Sequence, residues 1–433
     1  MMPIIITILG LVFGVKLGKS LRSGLTVGVG FIGLNLVIGL LSNTLGPASQ
    51  EMVKRLGLEL TIIDVGWPAA AAIAFASKVG ALIIPLGLIV NILMLLTKTT
   101  QTVNIDIWNY WHFAFTGALV AGATGSTSLG LLAAALNMAI IMVIADLTAP
   151  GIEEHLGLPG ISLPHGFSGA YVPIAIVVNK ILDNIPGVNK IEIDAEGIQE
   201  KFGVFGEPIL VGTILGILIG IGAGYDIKGV LETGIILGAV LVLIPKMAAM
   251  LMEGLMPVSD AAQELIEKKH KGTGKLYIGL DSAVGVGHPV TLAVSLILVP
   301  ATILLAAIIP GNKVLPFADL AVIPFALVML VPITRGNVFR TFITGILIIS
   351  FGLLIATNLA PLHTEMAINA GFEIPEGAAM ISSICDGANP LCWIFTKTMS
   401  IAIIGTIIMA VIALVLLVYN RKRITKELTE TSN

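Results

Sequence analysis

The sequence predicts an all-α polytopic membrane protein with about eleven transmembrane helices. Hydrophobic residues make up 56% of the 433 residues and charged residues only 12%, about half the charged share of an average soluble domain. Apolar runs such as residues 79–96 recur along the whole length and approach the roughly 20 residues that a helix needs to cross a bilayer. The chain is therefore placed in the lipid bilayer. Nucleic-acid binding has no support, because there is no extended basic stripe.

Two basic clusters predict the orientation of the chain. They follow the first and the last apolar segments and comprise Lys16, Lys19 and Arg22, and Arg421, Lys422, Arg423 and Lys426. Basic residues beside transmembrane helices favour the cytoplasmic side. The N-terminus is therefore expected outside and the C-terminus in the cytoplasm, which requires an odd number of crossings. Residues 1–13 lack the charged leading region of a cleavable signal sequence.

Several apolar segments are interrupted by glycine, proline and an ionisable residue. The interruptions lie at residues 64–68, 157–169, 279–289 and 384–390. Backbone freed by such a break is tolerated at membrane depth only where it faces protein or a watery cavity. We expect these segments to form re-entrant half-helices around a polar site. Elsewhere, Gly46-Pro47 is expected to end the second span, and Pro150 to follow the end of a span at residues 128–144.

The interruptions recur at a near-constant spacing. Asp64 and Asp281, His112 and Asp319, and His165 and Asp386 are each separated by about 210 to 220 positions, and paired broken segments are the best pointer to a transporter's midplane site. We interpret the chain as one membrane domain, residues 1–433, built from two inverted repeats at 1–185 and 205–397. A final transmembrane helix is expected at 399–420.

Ionisable residues at membrane depth are costly and are functional candidates by default. The candidates are Asp64, His112, His165, Glu207, Asp281, His288, Asp319, His363 and Asp386. Some have a structural alternative. Glu207 precedes Pro208 and suits a helix N-terminus, where a carboxylate accepts free N–H groups. His363 is expected near a loop, and His270 in a charged, solvated loop.

The strongest candidates suit a neutral, polyhydroxylated ligand. His112 and His165 each stand close to a hydroxyl side chain, Thr116 or Ser168, and a sugar hydroxyl both donates and accepts hydrogen bonds. Trp67 could stack on the C–H face of such a ligand. No cluster of Arg or Lys at membrane depth would hold an anionic substrate. Asp64 and Asp281 open broken segments, where capping and substrate binding are compatible.

No catalytic, metal or cofactor motif is present. Cys385 and Cys392 read as small packing residues near an apolar segment. Phosphate-binding loops, nucleophile elbows and zinc-binding HExxH patterns are all missing.

Eight runs, in order along the chain, resemble the galactitol-type membrane (IIC) component of the bacterial phosphoenolpyruvate-dependent phosphotransferase system. They are IIDVGWPAA, NIDIWNYWHFAFTGAL, ISLPHGFSGAYVPIA, KFGVFGEP, AGYDIKGVL, YIGLDSAVGVGHP, PGNKVLPFADLA and RGNVFRTFI. The resemblance covers nearly the whole chain from about residue 17 onward. The segment before it is shorter than the family leads one to expect.

The resemblance implies a helical permease of the bacterial inner membrane, related to the ascorbate-type components. Such carriers are homodimers with a scaffold domain and a mobile core domain that moves the sugar across in an elevator-like manner. A separate IIB subunit then phosphorylates the sugar, and IIA recharges IIB. Because this chain has no soluble domain to carry a phosphocysteine, it would be a transport subunit and not an enzyme on its own. The implied substrate contacts are Gly66, Trp67, His112, Thr116, His165, Gly166, Asp281, Ser282, His288 and Asp319.

Two alternatives remain open at this point. An ion-coupled secondary sugar or polyol transporter would use the Asp and His residues as a proton relay and would accumulate unmodified polyol. An intramembrane metal-dependent enzyme would use His112, His165 and Asp281, although no close metal-ligand spacing supports it. The identification of galactitol rests on likeness, since residue chemistry does not separate it from another hexitol or pentitol.

Overall fold

The fold is mostly helical, as predicted. The computed structural model describes residues 2–57, 60–106, 108–191, 193, 208–269, 276–316, 318–372, 374 and 379–431. Glu207, His270 and the expected start of the second repeat at residue 205 lie outside these ranges.

The helices of the N-terminal part are α1 (Met2–Val12), α2 (Leu17–Leu56), α3 (Trp67–Ala76), α4 (Ile83–Leu96), α5 (Asn109–Thr124), α6 (Thr127–Leu156), α7 (Gly166–Ala170) and α8 (Val172–Asp183). Those of the C-terminal part are α9 (Pro208–Ala223), α10 (Ile227–Lys269), α11 (Pro289–Ile308), α12 (Ile323–Val328), α13 (Val338–Asn369), α14 (Pro390–Met399) and α15 (Ala402–Thr431). Short 3₁₀ turns occur at Gly80–Leu82, Val188–Lys190, Ser282–Gly285, Ala318–Val322 and Asp386–Ala388.

Four helices of the described chain, α6, α11, α13 and α15, are long and apolar enough to cross a bilayer. The bent pair formed by α3 and α4, whose axes differ by 80°, would count as a fifth if it were one span. The bend lies between Ala76 and Gly80. The interruption predicted at residues 64–68 precedes α3. The expected total of about eleven crossings stays a prediction.

Six short strands correct the expectation of an all-α fold. They are β1 (Ile62–Asp64), β2 (Thr102–Asn104), β3 (Ile161–Ser162), β4 (Tyr277–Gly279), β5 (Val314–Leu315) and β6 (Met380–Ser382). They form two parallel three-stranded sheets with the orders β5-β1-β6 and β2-β4-β3. In one sheet Ile62 lies opposite Val314 and Met380, and in the other Ile278 lies opposite Val103 and Ile161. The sheets supply partners for backbone N–H and C=O groups where the helices break.

Each sheet joins the two parts of the chain. In the first, one strand of the N-terminal part lies between two strands of the C-terminal part. In the second, one strand of the C-terminal part lies between two strands of the N-terminal part. The two parts are therefore interleaved through their broken segments, and neither sheet can form from one part alone.

Two prolines do not end helices where the sequence led us to expect it. Helix α2 continues through Pro47 to Leu56, and α6 continues through Pro150 to Leu156. A proline inside a helix removes one backbone hydrogen bond and bends the helix. Membrane helices tolerate this because neighbouring helices and polar side chains satisfy the freed groups.

Close packing unites α1, α2, α9 and α10. Helix α2 packs along α10 and also contacts α1 and α9. Between α9 and α10 the backbones approach so closely that a Cβ on Gly216 would lie 2.4 Å from the carbonyl oxygen of Thr233. Small residues permit such contact between membrane helices. The remaining helices pack mainly among themselves, with α5 on α6 and α11 on α13.

The last helix is fixed to the second sheet by a buried carboxylate. Asp146 on α6 accepts hydrogen bonds from Thr102 Oγ1 at 2.7 Å, from the Gln101 backbone N–H at 3.1 Å and from Asn420 Nδ2 at 2.6 Å. Asp146 and Asn420 are both fully buried. In the region of the final helix expected at 399–420, α15 runs from Ala402 to Thr431.

Asp146→Ala should lower the free energy of unfolding by about 3 kcal/mol or more, because three buried donors lose their acceptor and each costs roughly 1–3 kcal/mol. Asn420→Ala should cost about 1 kcal/mol, since it removes only one of these bonds. Thermal unfolding of the detergent-solubilised protein measures both changes. Equal stability of Asp146→Ala and the wild type would contradict the described network.

Candidate functional site

Every strand leads into a polar residue close to the start of a helix or a 3₁₀ turn. In chain order, from β1 to β6, these residues are Asp64, Asp106, His165, Asp281, Asp319 and Asp386. Helix N-termini expose free N–H groups and carry partial positive charge, so they stabilise carboxylates. The two sheets therefore bring six ionisable side chains, drawn from both parts of the chain, to buried helix starts.

His112 and His165 are in direct contact at the centre of these junctions. Their Nε2 atoms are 3.0 Å apart, and both side chains are almost completely buried. His112 Nδ1 lies 2.6 Å from Asp386 Oδ2, a charge-assisted hydrogen bond. His165 lies at the N-cap of α7, where its Nδ1 accepts from the Ser168 N–H at 3.2 Å.

One placement of the ring protons connects these contacts, and Ser168 Oγ also lies 3.0 Å from His165 Nδ1. Where His165 Nδ1 accepts from the Ser168 N–H, Nε2 carries the ring proton and donates to His112 Nε2. His112 Nε2 is then an acceptor, and its Nδ1–H donates to the Asp386 carboxylate. Asn389 Nδ2 donates to the other carboxylate oxygen at 2.9 Å. The result is one continuous hydrogen-bonded chain from α7 through α5 to the start of α14.

Asp281 forms the accessible edge of this chain. Its Oδ1 is 3.5 Å from His165 Nε2, and its side chain is 15% exposed, compared with 4% for His165. The next residue, Ser282, lies 3.0 Å from Ser168 Oγ. The shorter bond to His112 occupies the Nε2 proton of His165. Asp281 Oδ1 also accepts from the Ala283 N–H at 2.7 Å, so the second carboxylate oxygen is the one placed to accept a hydrogen bond from a ligand beside His165.

A pair of aspartates fixes the position of Trp67. The Asp319 N–H donates to Asp64 Oδ2 at 2.7 Å, and Asp319 Oδ1 accepts from the Trp67 N–H at 2.6 Å. Ser383 Oγ donates to the other oxygen of Asp319 at 2.5 Å. Gly66 has φ +82°, a left-handed conformation that favours glycine. Asp319 thus orients the backbone at the start of α3 and is itself fully buried.

A second aspartate pair repeats this arrangement beside the histidines. The Asp281 N–H donates to Asp106 Oδ2 at 3.0 Å, and Asp106 Oδ1 accepts from the Trp108 N–H at 3.0 Å. As in the first pair, one aspartate comes from each part of the chain. Asp64, Asp106 and Asp319 each accept from the backbone of the other part, whereas the Asp281 carboxylate accepts from the Ala283 N–H of its own part. The interleaving of the sheets therefore continues into the site.

Aromatic rings extend the site away from the histidines. The ring of Trp111 lies 4.1 Å from that of His112, centroid to centroid, and 6.4 Å from that of Trp67. Trp111 is buried, whereas Trp67 is only partly buried. Trp67 is therefore the more accessible of the two indole rings, and Trp111 connects it to His112.

Three predicted residues have other structural roles. The Thr116 hydroxyl donates to the His112 carbonyl at 3.2 Å and accepts from Asn137 Nδ2 at 2.8 Å, so it supports α5. Gly166 lies against His112, and a Cβ there would be 2.4 Å from His112 Cβ. His288 caps α11 through its Nδ1, and no hydrogen bond described here joins it to the histidine chain.

Sequence reasoning missed three residues that hold the site together. Asp386 is one of the ionisable candidates of the sequence but not one of the predicted substrate contacts, and Asn389 and Asp106 belong to neither group. Asp386 and Asn389 do lie in a predicted broken segment, and Asn389 caps α14 and donates to the Gly166 carbonyl at 3.0 Å. Asp106 follows a strand of three residues, which is too short to be recognised from periodicity.

One group of possible metal ligands occurs in the described chain, namely His112, Cys385 and Asp386, whose ligand atoms lie within 4.8 Å of one another. The 2.6 Å between His112 Nδ1 and Asp386 Oδ2 is a hydrogen-bond distance. Two ligands of a tetrahedral zinc ion would be about 3.3 Å apart. The geometry therefore fits a hydrogen bond and does not fit a zinc ion between these atoms.

Comparison with known proteins identifies the family. Residues 1–377 match the family described as the PTS system sugar-specific permease component, EIIC-GAT. The chain belongs to this family. It is 43% identical over 400 residues to the PTS system galactitol-specific EIIC component of Escherichia coli strain K12, covering 92% of this chain and 88% of that protein. It is also 41% identical over 421 residues to a putative permease IIC component of the same strain, covering 97% and 96%.

The comparisons confirm the family resemblance recognised in the sequence. This EIIC-GAT member is a membrane permease component of a phosphotransferase system. The alternative of an ion-coupled secondary transporter has no support from them. Such permeases are inner-membrane proteins that work with IIA and IIB subunits on sugar-alcohol substrates.

The contact between His112 and Asp386 predicts energetic coupling in a double-mutant cycle. His112→Phe and Asp386→Ala together should destabilise the protein by about 1–3 kcal/mol less than the sum of the single changes, because both remove the same buried bond. Thermal unfolding in detergent measures the cycle. His112→Phe with His288→Ala is the control pair and should be additive within about 0.5 kcal/mol. Additivity of the first pair would rule out the contact.

Proposed function

We propose that this permease component binds galactitol, or a similar hexitol, and translocates it for phosphorylation by a separate IIB subunit. The observation that carries the proposal is the buried His112–His165 pair with Asp281 at its accessible edge. The likeness to a galactitol-specific relative over most of both chains supports the substrate class.

The chemistry of the site suits a neutral polyol. A hexitol carries one hydroxyl on every carbon, and each hydroxyl donates and accepts. The Asp281 carboxylate offers an acceptor beside His165 through the oxygen that does not cap the turn, and Ser282 adds a hydroxyl. Trp67 provides an apolar face for the carbon chain. No Lys or Arg of the described chain takes part in the contacts of this cluster, so an anionic substrate would lack a counter-charge.

The proposed substrate contacts divide into two groups. The ring of Trp67 and the side chains of His112, His165, Asp281 and Ser282 are proposed to touch the polyol. The second group is proposed to shape or border the site. Its members are Gly66, Thr116, Gly166, His288 and Asp319. His288 is the least integrated of these, because it caps a different helix start.

We also propose that the chain consists of two inverted repeats. The support is the exchange of strands between the two parts and the two aspartate pairs, Asp64 with Asp319 and Asp106 with Asp281. By the order of the strands along the chain, the equivalent positions of the two repeats are Asp64 and Asp281, Asp106 and Asp319, and His165 and Asp386, so Asp106 replaces His112 as the equivalent of Asp319 in the predicted spacing. Paired broken segments in corresponding positions suit a transporter with a midplane site.

The helix packing suggests how such a carrier would move. We propose that α1, α2, α9 and α10 form the scaffold, which also mediates homodimerisation, and that the other helices form the mobile core. The supporting observation is that α2 packs closely with α1, α9 and α10, whereas the sheets and the histidine chain belong to the remaining helices. The core would carry the polyol across by an elevator-like movement, with the N-terminus outside and the C-terminus cytoplasmic.

Phosphoenolpyruvate-driven phosphorylation of a panel of hexitols and pentitols tests the proposed function. Membranes containing this permease, supplemented with the cognate IIA and IIB subunits, should phosphorylate galactitol or a close hexitol. Uptake of unmodified polyol without phosphoenolpyruvate would contradict the proposal. A panel in which only pentitols react would refute the hexitol assignment.

His165→Ala should abolish this phosphorylation without reducing the amount of folded protein, because it breaks the hydrogen-bonded chain next to Asp281. His288→Ala is the matched histidine control and should retain most of the activity, since His288 lies outside that chain. Activity assays on membranes with equal amounts of each variant measure both. Normal activity of His165→Ala would remove His165 from the site.

A further inference from the structure

One buried histidine has no role in the site described so far. His363 on α13 is fully buried, and neither ring nitrogen has a hydrogen-bond partner within the described part of the chain. A neutral imidazole always carries one donor and one acceptor. Buried polar groups in native proteins are almost always paired, so this imidazole points to a partner other than the described protein groups.

The surroundings of His363 are apolar on one side and polar on the other. The ring of Phe115 packs edge-on against it, with centroids 5.0 Å apart. On the polar side is Gly387, where a Cβ would lie 3.8 Å from His363 Nδ1 and 3.0 Å from Ser382 Oγ. Ser382 Oγ donates to the Ala356 carbonyl at 3.1 Å, which leaves its oxygen free to accept. One ring nitrogen and one hydroxyl oxygen therefore both lie beside Gly387.

This position adjoins the histidine chain. Gly387 follows Asp386, whose carboxylate holds His112, in the 3₁₀ turn Asp386–Ala388. Phe115 and His112 are three residues apart on α5, on the same face of the helix. The turn thus connects the two imidazoles, with Asp386 directed to His112 and Gly387 next to His363.

We propose that His363 and Ser382 form an additional position of the site that takes one neutral hydroxyl group, from a polyol or from a water molecule. The inference rests on the proposed function for its polyol source. A hydroxyl matches the two groups because it donates and accepts at once. The two oxygens of Asp386 are already bonded to His112 and Asn389, so this neighbouring carboxylate is not free to attract a cation.

Binding of monodeoxy galactitols tests the polyol source. Isothermal titration calorimetry would compare the purified wild type with His363→Phe and Gly387→Ala, the latter placing a methyl group next to His363. A polyol hydroxyl at this position predicts that both variants bind galactitol roughly tenfold more weakly. One deoxy analogue would bind the wild type as weakly as His363→Phe, with no further loss in the variant. His363→Gln, which keeps a donor and an acceptor, should restore part of the affinity.

Thermal unfolding tests the water source. A bound water predicts unchanged polyol affinities, a lower unfolding temperature for His363→Phe and Gly387→Ala, and recovery in His363→Gln. The proposal is overturned if both variants match the wild type in affinity for every polyol and in unfolding temperature, or if His363→Gln is no better than His363→Phe in either measurement. Failure of the wild type to bind any hexitol would refute the proposed function instead, and the thermal comparison would still decide whether a water occupies the position.

Discussion

The structure depends on one constraint: every backbone group freed where a membrane helix breaks must find a partner inside the protein. Two parallel sheets of two- and three-residue strands meet part of this demand. Carboxylates at the helix starts accept further backbone N–H groups. Asp64, Asp106 and Asp319 each accept a backbone N–H of the segment that begins nearby. Polar side chains are therefore buried here because the broken backbone requires them.

The same constraint explains why the breaks gather in one place. A strand of two or three residues has no stability alone, so each must align with strands from the other part of the chain. Alignment brings the residues that follow the strands close together. This arrangement brings together His112, His165 and Asp281, which lie on separate elements. The two that are closest in sequence, His112 and His165, are 53 residues apart. A polar site is the direct consequence of satisfying the breaks jointly.

Function depends on the groups that remain accessible to a ligand once the two imidazoles are hydrogen-bonded within the protein. In the chain from Ser168 to Asp386, each donor within the imidazoles has an acceptor, which fixes both rings. Asp281 and Trp67 are the partly exposed members and define how a ligand would approach. A rigid interior with a few accessible groups matches the needs of a permease, which must hold a polyol specifically and still release it for phosphorylation.

The sequence predicts where the helices break, but it does not predict the short strands that pair the backbone at the breaks. Asp64, Asp281, His112 and His165 stood out because charge and imidazole are costly among apolar residues. The strands carried no periodic signal, since a segment of two or three residues is shorter than any recognisable alternation. Their partners are also distant, as Ile62 is opposite Val314.

Local rules misplaced other features for a related reason. Pro47 and Pro150 were expected to end helices, yet neighbouring helices sustain α2 and α6 beyond them. His363 was assigned to the vicinity of a loop, although it is fully buried on α13. In each case tertiary contacts with distant segments decided the outcome, and those contacts are not visible in a single stretch of sequence.

The central claim is that a polyol occupies the accessible edge of the His112–His165–Asp281 cluster. An experimental structure of the purified protein soaked with galactitol tests it most directly. The account predicts ligand density within hydrogen-bonding distance of Asp281 and next to His165, with Trp67 against the carbon chain. Galactitol density at a separate location, with the histidine cluster unchanged and out of its reach, would contradict it.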